Sequence, residues 1–547
     1  MGFCDSLRAR EAIVNKLQAC RSLLLQGTVR SINHWTLFLM FQQQPLALRI
    51  ALVFTIGLCI PLSLAPFNLW PLSIVGVLGF FWLQTAIQSS KSAFWLGWVY
   101  GIGFFGLGVS WVYGSMRTVD TPVLLSLLLT ATFCLALAFL GAIQLWFHVR
   151  FINKLPMGLL LASPLSWLFF EWLREWFLTG MPWLFVGYSV IDLPMAQLAA
   201  VFSVYGLSLC LAFISAVLFI GIQKISRHER NAAIFAVGVS LSAFAALNIV
   251  GWLLPADSWT TPSSTIKVAA VQSNIAQQDK WKSAQQIKTL EFYGKQIETL
   301  KDVDLMLWSE AAMTRRADQI PNFIGQVQSI TEKRDQTLLT GVVTKDGPNY
   351  FNAVQGYGMA KGEEYRKQHL VPFGEYVPFD PYLRNFIGFF NISISGMSPA
   401  LTEQNPIVST LNGEPFFLAP VICYEAAYPN IVRKLAKNAQ ILTVVSNDAW
   451  FGDSIAPHQH LQITRMRAIE NGRDMARATQ NGISALINAR GELVNFAEQF
   501  TEAQVVGALT LRNGLTPFQR LHSSIIPILA TIILLIMLIS YQRKPKK

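Results

Sequence analysis

Cys423 follows directly on Phe416-Phe417-Leu418-Ala419-Pro420-Val421-Ile422, an apolar run of strand length. The other five cysteines, Cys4, Cys20, Cys59, Cys134 and Cys210, lie in a polar N-terminal stretch or in long apolar runs upstream. The region after residue 255 therefore holds one thiol and no pairing partner. In an oxidising compartment an unpaired thiol is a liability unless it is buried or used. Glu310 lies just past a second strand-like run, Leu305-Met306-Leu307-Trp308, and Asn447-Asp448 follow a third, Ile441–Ser446. Polar groups just beyond strand carboxyl ends are where open α/β sheets gather their sites. A thiol and a carboxylate so placed are the raw material of nucleophilic and acid–base chemistry. Position alone leaves the plainer readings open: Cys423 as an inert small hydrophobe and Glu310 as a carboxylate at a helix start.

Two other patterns carry less. Gly101-Ile102-Gly103-Phe104-Phe105-Gly106 matches G-x-G-x-x-G, but it lies inside an apolar run with no preceding strand and no acidic residue about 20 positions on. Small residues that let helices approach, as in Gly97-x-x-x-Gly101, explain it better. His458-Gln459-His460 lacks a third ligand at familiar spacing, so a structural or positioning role is expected and no metal is assigned.

The elements that must hold these residues divide the chain in two. Of 547 residues, 14% are charged and 52% hydrophobic, and mean hydropathy is +0.39. Those values exclude disorder, a coiled coil, collagen and a purely soluble enzyme. A helix needs roughly 20 apolar residues to cross a bilayer. By that measure about eight spans are predicted, near 48–66, 71–88, 93–113, 122–147, 158–177, 195–222, 231–254 and 523–540. The fifth is the weakest: it ends in Glu171 and Arg174 and runs into a stretch from Trp172 to Trp183 that resembles an interfacial belt.

An even number of spans puts both termini on one side. Arg8, Arg10, Lys16, Arg21, Arg30, Lys91, Arg150, Lys154, Lys224, Arg227, Arg230, Arg543, Lys544, Lys546 and Lys547 then fall inside, against Arg117 and Arg174 outside. This asymmetry orients the chain with both termini cytoplasmic and accounts for much of the +11 net charge without nucleic acid. The expected organisation is a cytoplasmic extension at 1–47, too polar for a cleaved signal peptide, then a seven-helix membrane domain at 48–254. An extramembrane domain at 255–522 follows, then a last helix and basic tail at 523–547.

Within 255–522 short β-branched runs alternate with amphipathic stretches. Strands are predicted at 266–271, 305–308, 337–343, 350–357, 416–422, 440–446 and 484–488. Helices are predicted at 281–301, 317–334, 427–438 and 458–473, the first with Ile287, Leu290, Ile297 and Leu300 on its apolar face. The alternation predicts an α/β layered domain.

Three segments carry a resemblance: Leu305-Met306-Leu307-Trp308-Ser309-Glu310, Tyr365-Arg366-Lys367-Gln368-His369-Leu370-Val371-Pro372-Phe373-Gly374-Glu375, and Val421-Ile422-Cys423-Tyr424-Glu425. They resemble the nitrilase superfamily, whose αββα sandwich uses a Glu–Lys–Cys triad. Arg467-Ala468-Ile469-Glu470-Asn471 with Gly491 fits the same superfamily. The eight spans, the Lys367–Pro378 string, Ala65-Pro66-Phe67-Asn68-Leu69-Trp70-Pro71, Gly180-Met181-Pro182-Trp183 and Val271-Gln272 leading to Lys280-Trp281 are similar to the apolipoprotein N-acyltransferase family. One departure stands out: Ser309 sits where that family usually has proline, and a small effect on the turn is expected.

The resemblance implies transfer of one acyl chain from a phospholipid, phosphatidylethanolamine by expectation, to the free α-amine of a diacylglyceryl-modified N-terminal cysteine. It implies a ping-pong route through a thioester on Cys423, with Glu310 as general base and Lys367 favouring the thiolate and stabilising the oxyanion. Glu375 and Glu425 would support the triad, and Tyr424 and Trp281 would line the acyl or headgroup pocket, where core packing is the plain alternative. No cofactor is implied, and a monomer in the bacterial inner membrane with a periplasmic catalytic domain is expected.

Both substrates are lipid-anchored, and drawing a chain into water costs ~0.8 kcal/mol per CH₂, so the site must open at the membrane surface. Phe386-Ile387-Gly388-Phe389-Phe390-Asn391-Ile392 is too apolar for a solvated loop and is predicted to be an arm touching lipid; a buried strand or helix is the alternative. The rival functions are a membrane-tethered amidase hydrolysing a small amide and a catalytically dead transporter or lipid-binding scaffold. The intact triad and the lack of repeated intramembrane charge pairs weigh against the scaffold.

Overall fold

The computed structural model describes residues 41–255, 257–378 and 396–543. Seven longer helices come first among the described residues, with a short one at Val112–Arg117 between the third and fourth: α1 (Leu46–Ser63), α2 (Pro71–Ala86), α3 (Ser90–Gly108), α4 (Val123–Arg150), α5 (Ser163–Trp176), α6 (Ala199–Ser226) and α7 (Arg230–Leu253). They lie where seven spans are predicted. Among the described residues, however, only five helical stretches are long and apolar enough to cross a membrane: 46–63, 123–154, 194–226, 230–253 and 525–542. The α5 region shows why the count falls short. Its helix has 14 residues, is entered through a π-helical turn at Gly158–Ala162, and buries Glu171 and Arg174. Arg174 is no loop cation; its guanidinium lies 5.4 Å from the Phe104 ring and 5.3 Å from that of Phe185.

The glycines of the nucleotide-like pattern do serve close packing. A Cβ on Gly101 would lie 2.5 Å from the Ala138 carbonyl oxygen, and one on Gly97 would lie 2.6 Å from that of Gly141. Helices α3 and α4 therefore touch backbone to backbone, as small residues permit.

Then the period changes. The α/β part holds β1 (Thr260–Gln272), α8 (Ser283–Thr299), β2 (Leu305–Trp308), α9 (Pro321–Lys333), β3 (Thr337–Asp346), β4 (Asn349–Gly358) and β5 (Glu364–Arg366). After these come β6 (Ile407–Leu411), β7 (Glu414–Ile422), α10 (Pro429–Ala436), β8 (Ile441–Ser446), α11 (Ala456–Asn471), β9 (Met475–Thr479), β10 (Ala485–Ile487), β11 (Leu493–Phe496) and β12 (Ala503–Gly514). A last helix, α12 (Ile525–Gln542), closes the described chain.

Two six-stranded sheets form, ordered β12-β1-β2-β3-β4-β5 and β11-β10-β9-β8-β7-β6. In the first, β1, β2 and β3 run parallel; in the second, β7, β8 and β9 do. Strand alternation assigns the faces. Leu305 and Leu307 of β2 enter the core between the sheets with Val421, Val444 and Leu486, while Met306 and Trp308 pack against Tyr293 and Ile297 of α8. On α8 the predicted face needs one correction: Ile287 is 55% exposed, and Tyr293 takes the core position instead.

Helix α11 is buried nearly all round, as a helix between two apolar layers must be. Leu461 and Ala468 join the sheet core; Ile463, Met466 and Ile469 join the core of the membrane helices. One packed core thus runs from the membrane part into the α/β part. Polar ties reinforce it. Glu470 accepts from Ser203 Oγ (2.8 Å) and Val204 N (2.9 Å), where α6 kinks at Ser203 with φ +61°. Ala65 N donates to Gln462 Oε1 at 3.2 Å, and Gln197 Nε2 to Arg490 O at 3.0 Å.

The arm residues Phe386, Phe389 and Phe390 lie outside the described residues, as do residues 1–40 and Lys544, Lys546 and Lys547 of the basic tail.

Candidate active site

Glu310 and Cys423 follow the ends of parallel strands of opposite sheets, β2 and β7, and both do so through left-handed backbone. Cys423 has φ +52°, and Ala311, next to Glu310, has φ +46°. Such conformations cost on the order of 1–3 kcal/mol each and persist only where surroundings enforce them. The enforcement is visible. A Cβ on Gly341 of β3 would sit 2.6 Å from Glu310 Cα and 2.4 Å from Ala311 N, so only glycine admits the Glu310 turn. On the cysteine side, His460 Nε2 lies 3.1 Å from the Cys423 carbonyl oxygen, and Nδ1 lies 3.1 Å from Asp448 Oδ1 and 3.2 Å from Arg477 Nη2. Burial and the Arg477 charge lower the His460 pKa against the raising effect of Asp448. His460 is therefore a positioning side chain.

Lys367 follows β5 and is buried. Its ammonium lies 3.3 Å from Glu310 Oε1 and 2.9 Å from Glu375 Oε2. Asn352 on β4 bridges the same two carboxylates, donating from Nδ2 to Glu310 Oε1 (2.6 Å) and to Glu375 Oε1 (2.9 Å). Glu310 Oε2 accepts from Asn447 N at 2.8 Å, across the gap from the second sheet. Glu375 Oε2 also accepts from Val371 N (2.8 Å), closing the loop that carries it. Glu425 gathers Ile422 N (2.9 Å), Gln368 N (2.7 Å) and Tyr365 Oη (3.0 Å), and so joins the backbone just before Cys423 to the backbone just after Lys367.

These contacts set the protonation. Burial pushes the Glu310 pKa up, but Lys367, Asn352, Lys280 and the Asn447 N–H together hold it below the ordinary carboxylate value. Burial alone would lower the Lys367 pKa; Glu375 and Glu310 outweigh it and keep the ammonium charged. For Cys423, burial and the Glu310 charge raise the pKa well above that of a free thiol, with Lys367 only partly compensating. The resting site is thus carboxylate, ammonium and thiol. Attack by sulfur must then be concerted with proton loss to a neighbouring base. For Glu425, burial raises the pKa to about 7 against its N–H donors.

Beside Glu310 lies a second buried cation. Lys280 Nζ donates to Glu310 O (3.0 Å) and to Gln480 Oε1 (3.3 Å), and Ser309 Oγ donates to the same Gln480 oxygen at 3.0 Å. The Tyr293 hydroxyl lies 3.2 Å from Ser309 Oγ. Ser309 therefore does more than shape a turn. Sequence spacing assigned no chemistry to Lys280, Asn352 or Gln480. Asn352 had a usable signal: it shares strand parity with inward-facing Val354, and a polar residue there requires a partner.

Of the proposed pocket residues, Tyr424 donates from Oη to the Gly180 carbonyl (3.1 Å) and stacks on Trp183 with ring centroids 6.4 Å apart. Trp183 is 3% exposed and donates to Gln459 Oε1 (2.7 Å), so it belongs to this junction rather than to an interfacial belt. Trp281 is 48% exposed, which overturns core packing as its alternative role.

Residues 56–217 match the family model described as apolipoprotein N-acyltransferase N-terminal domain, and residues 267–513 match that of carbon-nitrogen hydrolase. The apolipoprotein N-acyltransferase of Pseudomonas aeruginosa strain LESB58 is 37% identical over 500 residues, covering 90% of this chain and 96% of that protein. That of Azotobacter vinelandii is 38% identical over 474 residues, covering 85% and 90% respectively. Saccharomyces cerevisiae Nit3, a nitrilase-superfamily member, superposes with TM-score 0.34 and 18% identity over 46% of this chain and 91% of its own.

Proposed function

This chain belongs to the apolipoprotein N-acyltransferase family, and from that premise we propose that Glu310, Lys367 and Cys423 carry its N-acylation of lipoproteins through a thioester on Cys423. It is an acyltransferase with a carbon-nitrogen-hydrolase domain joined to apolar helices, and its family implies lipid and lipoprotein substrates. We take residues 48–254 as the membrane domain, 255–522 as the catalytic domain, 523–547 as the last helix and tail, and 1–47 as a cytoplasmic extension. The catalytic domain is assigned to the periplasmic face of the bacterial inner membrane, with eight spans and both termini cytoplasmic.

In the first half-reaction the Glu310 carboxylate takes the Cys423 proton while Sγ attacks a phospholipid ester carbonyl. The Lys367 ammonium stabilises the oxyanion. When the ester C–O bond breaks, the departing alkoxide of the lysophospholipid takes the proton back from Glu310. In the second, the neutral α-amine of the diacylglyceryl cysteine attacks the thioester and gives a proton to Glu310. The C–S bond then breaks, and the Cys423 thiolate recovers that proton. Asn352 and Glu375 hold Lys367 against Glu310, and Glu425 holds the two backbone segments that present Lys367 and Cys423. Phosphatidylethanolamine is the proposed donor and a monomer the proposed state. Tyr424, Trp281 and the Phe386–Phe389–Phe390 arm are assigned to lipid contact.

The observation that supports acyl transfer over hydrolysis of a small amide is the place of the thiol. The residue after Cys423 is hydrogen-bonded to Gly180, in the segment between α5 and α6, so the turn that carries the nucleophile reaches the apolar part of the chain. The test is intact-protein mass after incubation of the detergent-purified chain with phosphatidylethanolamine and no acceptor. A hydroxylamine-labile gain of one acyl chain, absent in Cys423→Ala and discharged by a diacylglyceryl peptide, supports the reading. Hydrolysis of small amides with no adduct would replace it with the amidase.

A further inference from the structure

The turn that carries Glu310 is held on both sides by one acceptor. Gln480 Oε1 receives Ser309 Oγ (3.0 Å) and Lys280 Nζ (3.3 Å), and the same ammonium reaches forward to Glu310 O (3.0 Å). Three hydrogen bonds thus close a ring around the Glu310 backbone. Its anchor belongs to the opposite sheet. Gln480 follows β9, and its N–H donates to Ser446 O at 3.2 Å, next to the Asn447 N–H that holds Glu310 Oε2. The ring therefore fastens the first sheet's carboxylate to the sheet that presents Cys423.

Lys280, Ser309 and Gln480 are all buried, Lys280 completely. Withdrawing an ammonium from water costs several kcal/mol unless its partners compensate. Packing alone gives no reason for a charge there; the charge balance does. Glu310 and Glu375 face one ammonium, Lys367, so the buried site would carry an excess negative charge without Lys280. Burial lowers the Lys280 pKa to about 8 against the raising effects of Glu310 and Cys423, which leaves it largely protonated at neutral pH.

We propose that Lys280, acting through Gln480 and Ser309, is a positioning residue for Glu310: it fixes the carboxylate relative to Cys423 and balances the second carboxylate beside Lys367. The inference rests on Glu310 acting as the base in the function proposed above. The charged and titratable groups facing this pair are Lys367 and Cys423, with Glu375 beside Lys367 and Asp448 beside Cys423 one step further out. All of them stay in place in the variants that test it.

The experiment measures the rate of Cys423 acylation by phosphatidylethanolamine against pH, in the full chain, for wild type, Lys280→Met, Lys280→Arg, Ser309→Ala and Glu310→Gln. A shift of ~1 Å in a reacting group can cost ~10²-fold, and Lys280→Met is expected to slow acylation by about that factor. Its acid limb should also move to higher pH, because the ammonium that favours the Glu310 carboxylate is gone. Lys280→Arg should restore the limb. Ser309→Ala should be slower by about tenfold, within the usual range for one positioning contact, with the limb unmoved because no charge changes. Wild-type rate and an unmoved limb in Lys280→Met overturn the proposal. If that variant fails to fold, Ser309→Ala decides: wild-type rate at an unchanged thermal midpoint overturns it. Wild-type acylation in Glu310→Gln would sink the underlying assignment of the base, a different outcome from either.

Discussion

The buried pair that joins the two parts of the chain gives a prediction with a sign. Arg467 and Glu470, both fully buried, pair at 3.1 Å on α11. Glu470 also accepts from Ser203 Oγ and Val204 N at the kink of α6, capping the helix segment that restarts there. Glu470→Ala removes the carboxylate and leaves Arg467 buried with the Tyr188 hydroxyl, 3.2 Å from Nη2, and the Tyr188 ring but no paired anion on its helix. Breaking a buried pair from one side costs about 3–5 kcal/mol, and the stranded Val204 N–H adds about 1–3 kcal/mol. The double variant Arg467→Met/Glu470→Met deletes both charges with little change in volume. It should lose only that cap, again about 1–3 kcal/mol, with the pair's deletion itself near neutral. Two changes should therefore leave a more stable protein than one. The assay is thermal unfolding of wild type, Glu470→Ala and the double variant in one detergent, followed by intrinsic tryptophan fluorescence. A double variant that melts at or below Glu470→Ala would refute the reasoning, because it would mean that Arg467 has other compensation.

Further outcomes follow from the site. Cys423→Ser should abolish the acyl-enzyme while leaving the thermal midpoint close to wild type, and Glu310→Gln should abolish it while lowering the midpoint, because buried Lys367 loses a carboxylate partner; both are read by intact mass and melting. Gly341→Ala should slow acylation at least tenfold and lower stability by about 1–3 kcal/mol, the usual cost of overpacking, because its Cβ meets Glu310 Cα at 2.6 Å. Glu425 has a folded pKa raised from 4.5 to about 7, so the folded state binds its proton more tightly than the unfolded chain does. Its contribution to stability is therefore greatest near pH 4.5 and is lost as pH rises through about 7. Glu425→Gln should flatten the melting curve's pH dependence in that window, and an unchanged slope would count against it.

The parts of the fold legible in the sequence are those where one physical signal dominates. Leu305–Trp308 is buried on both faces and reads as a strand with the bounds observed. By contrast, β9 places Arg477 in its centre, where the Asp448, Thr464 and His460 side chains of other elements make the charge tolerable. β12 mixes exposed and buried residues without alternation, and its pairing with β1 is fixed by chain 230 residues away. The same contrast holds at the site. Cys423 and Glu310 stood out because strands point to them. Lys280 did not, since its meaning comes from a glutamine 200 residues on. Trp183 read as a membrane-surface residue because its type favours that place; the contact that buries it comes from Tyr424 in the other half of the chain.

The shared core described above also bears on how such a chain can change over generations. A soluble carbon-nitrogen hydrolase could supply a Glu–Lys–Cys set, but not the second apolar face of α11 formed by Ile463, Met466 and Ile469. Conversely, Gly180, Trp183 and Ser203 are shaped to particular side chains of the catalytic half. Neither half is a module that recombination could exchange for an unrelated version without stranding polar and apolar groups on the other. Substitutions on α11 should instead be matched by substitutions on α6 and in the 180–204 segment, so that the two halves drift as one heritable unit.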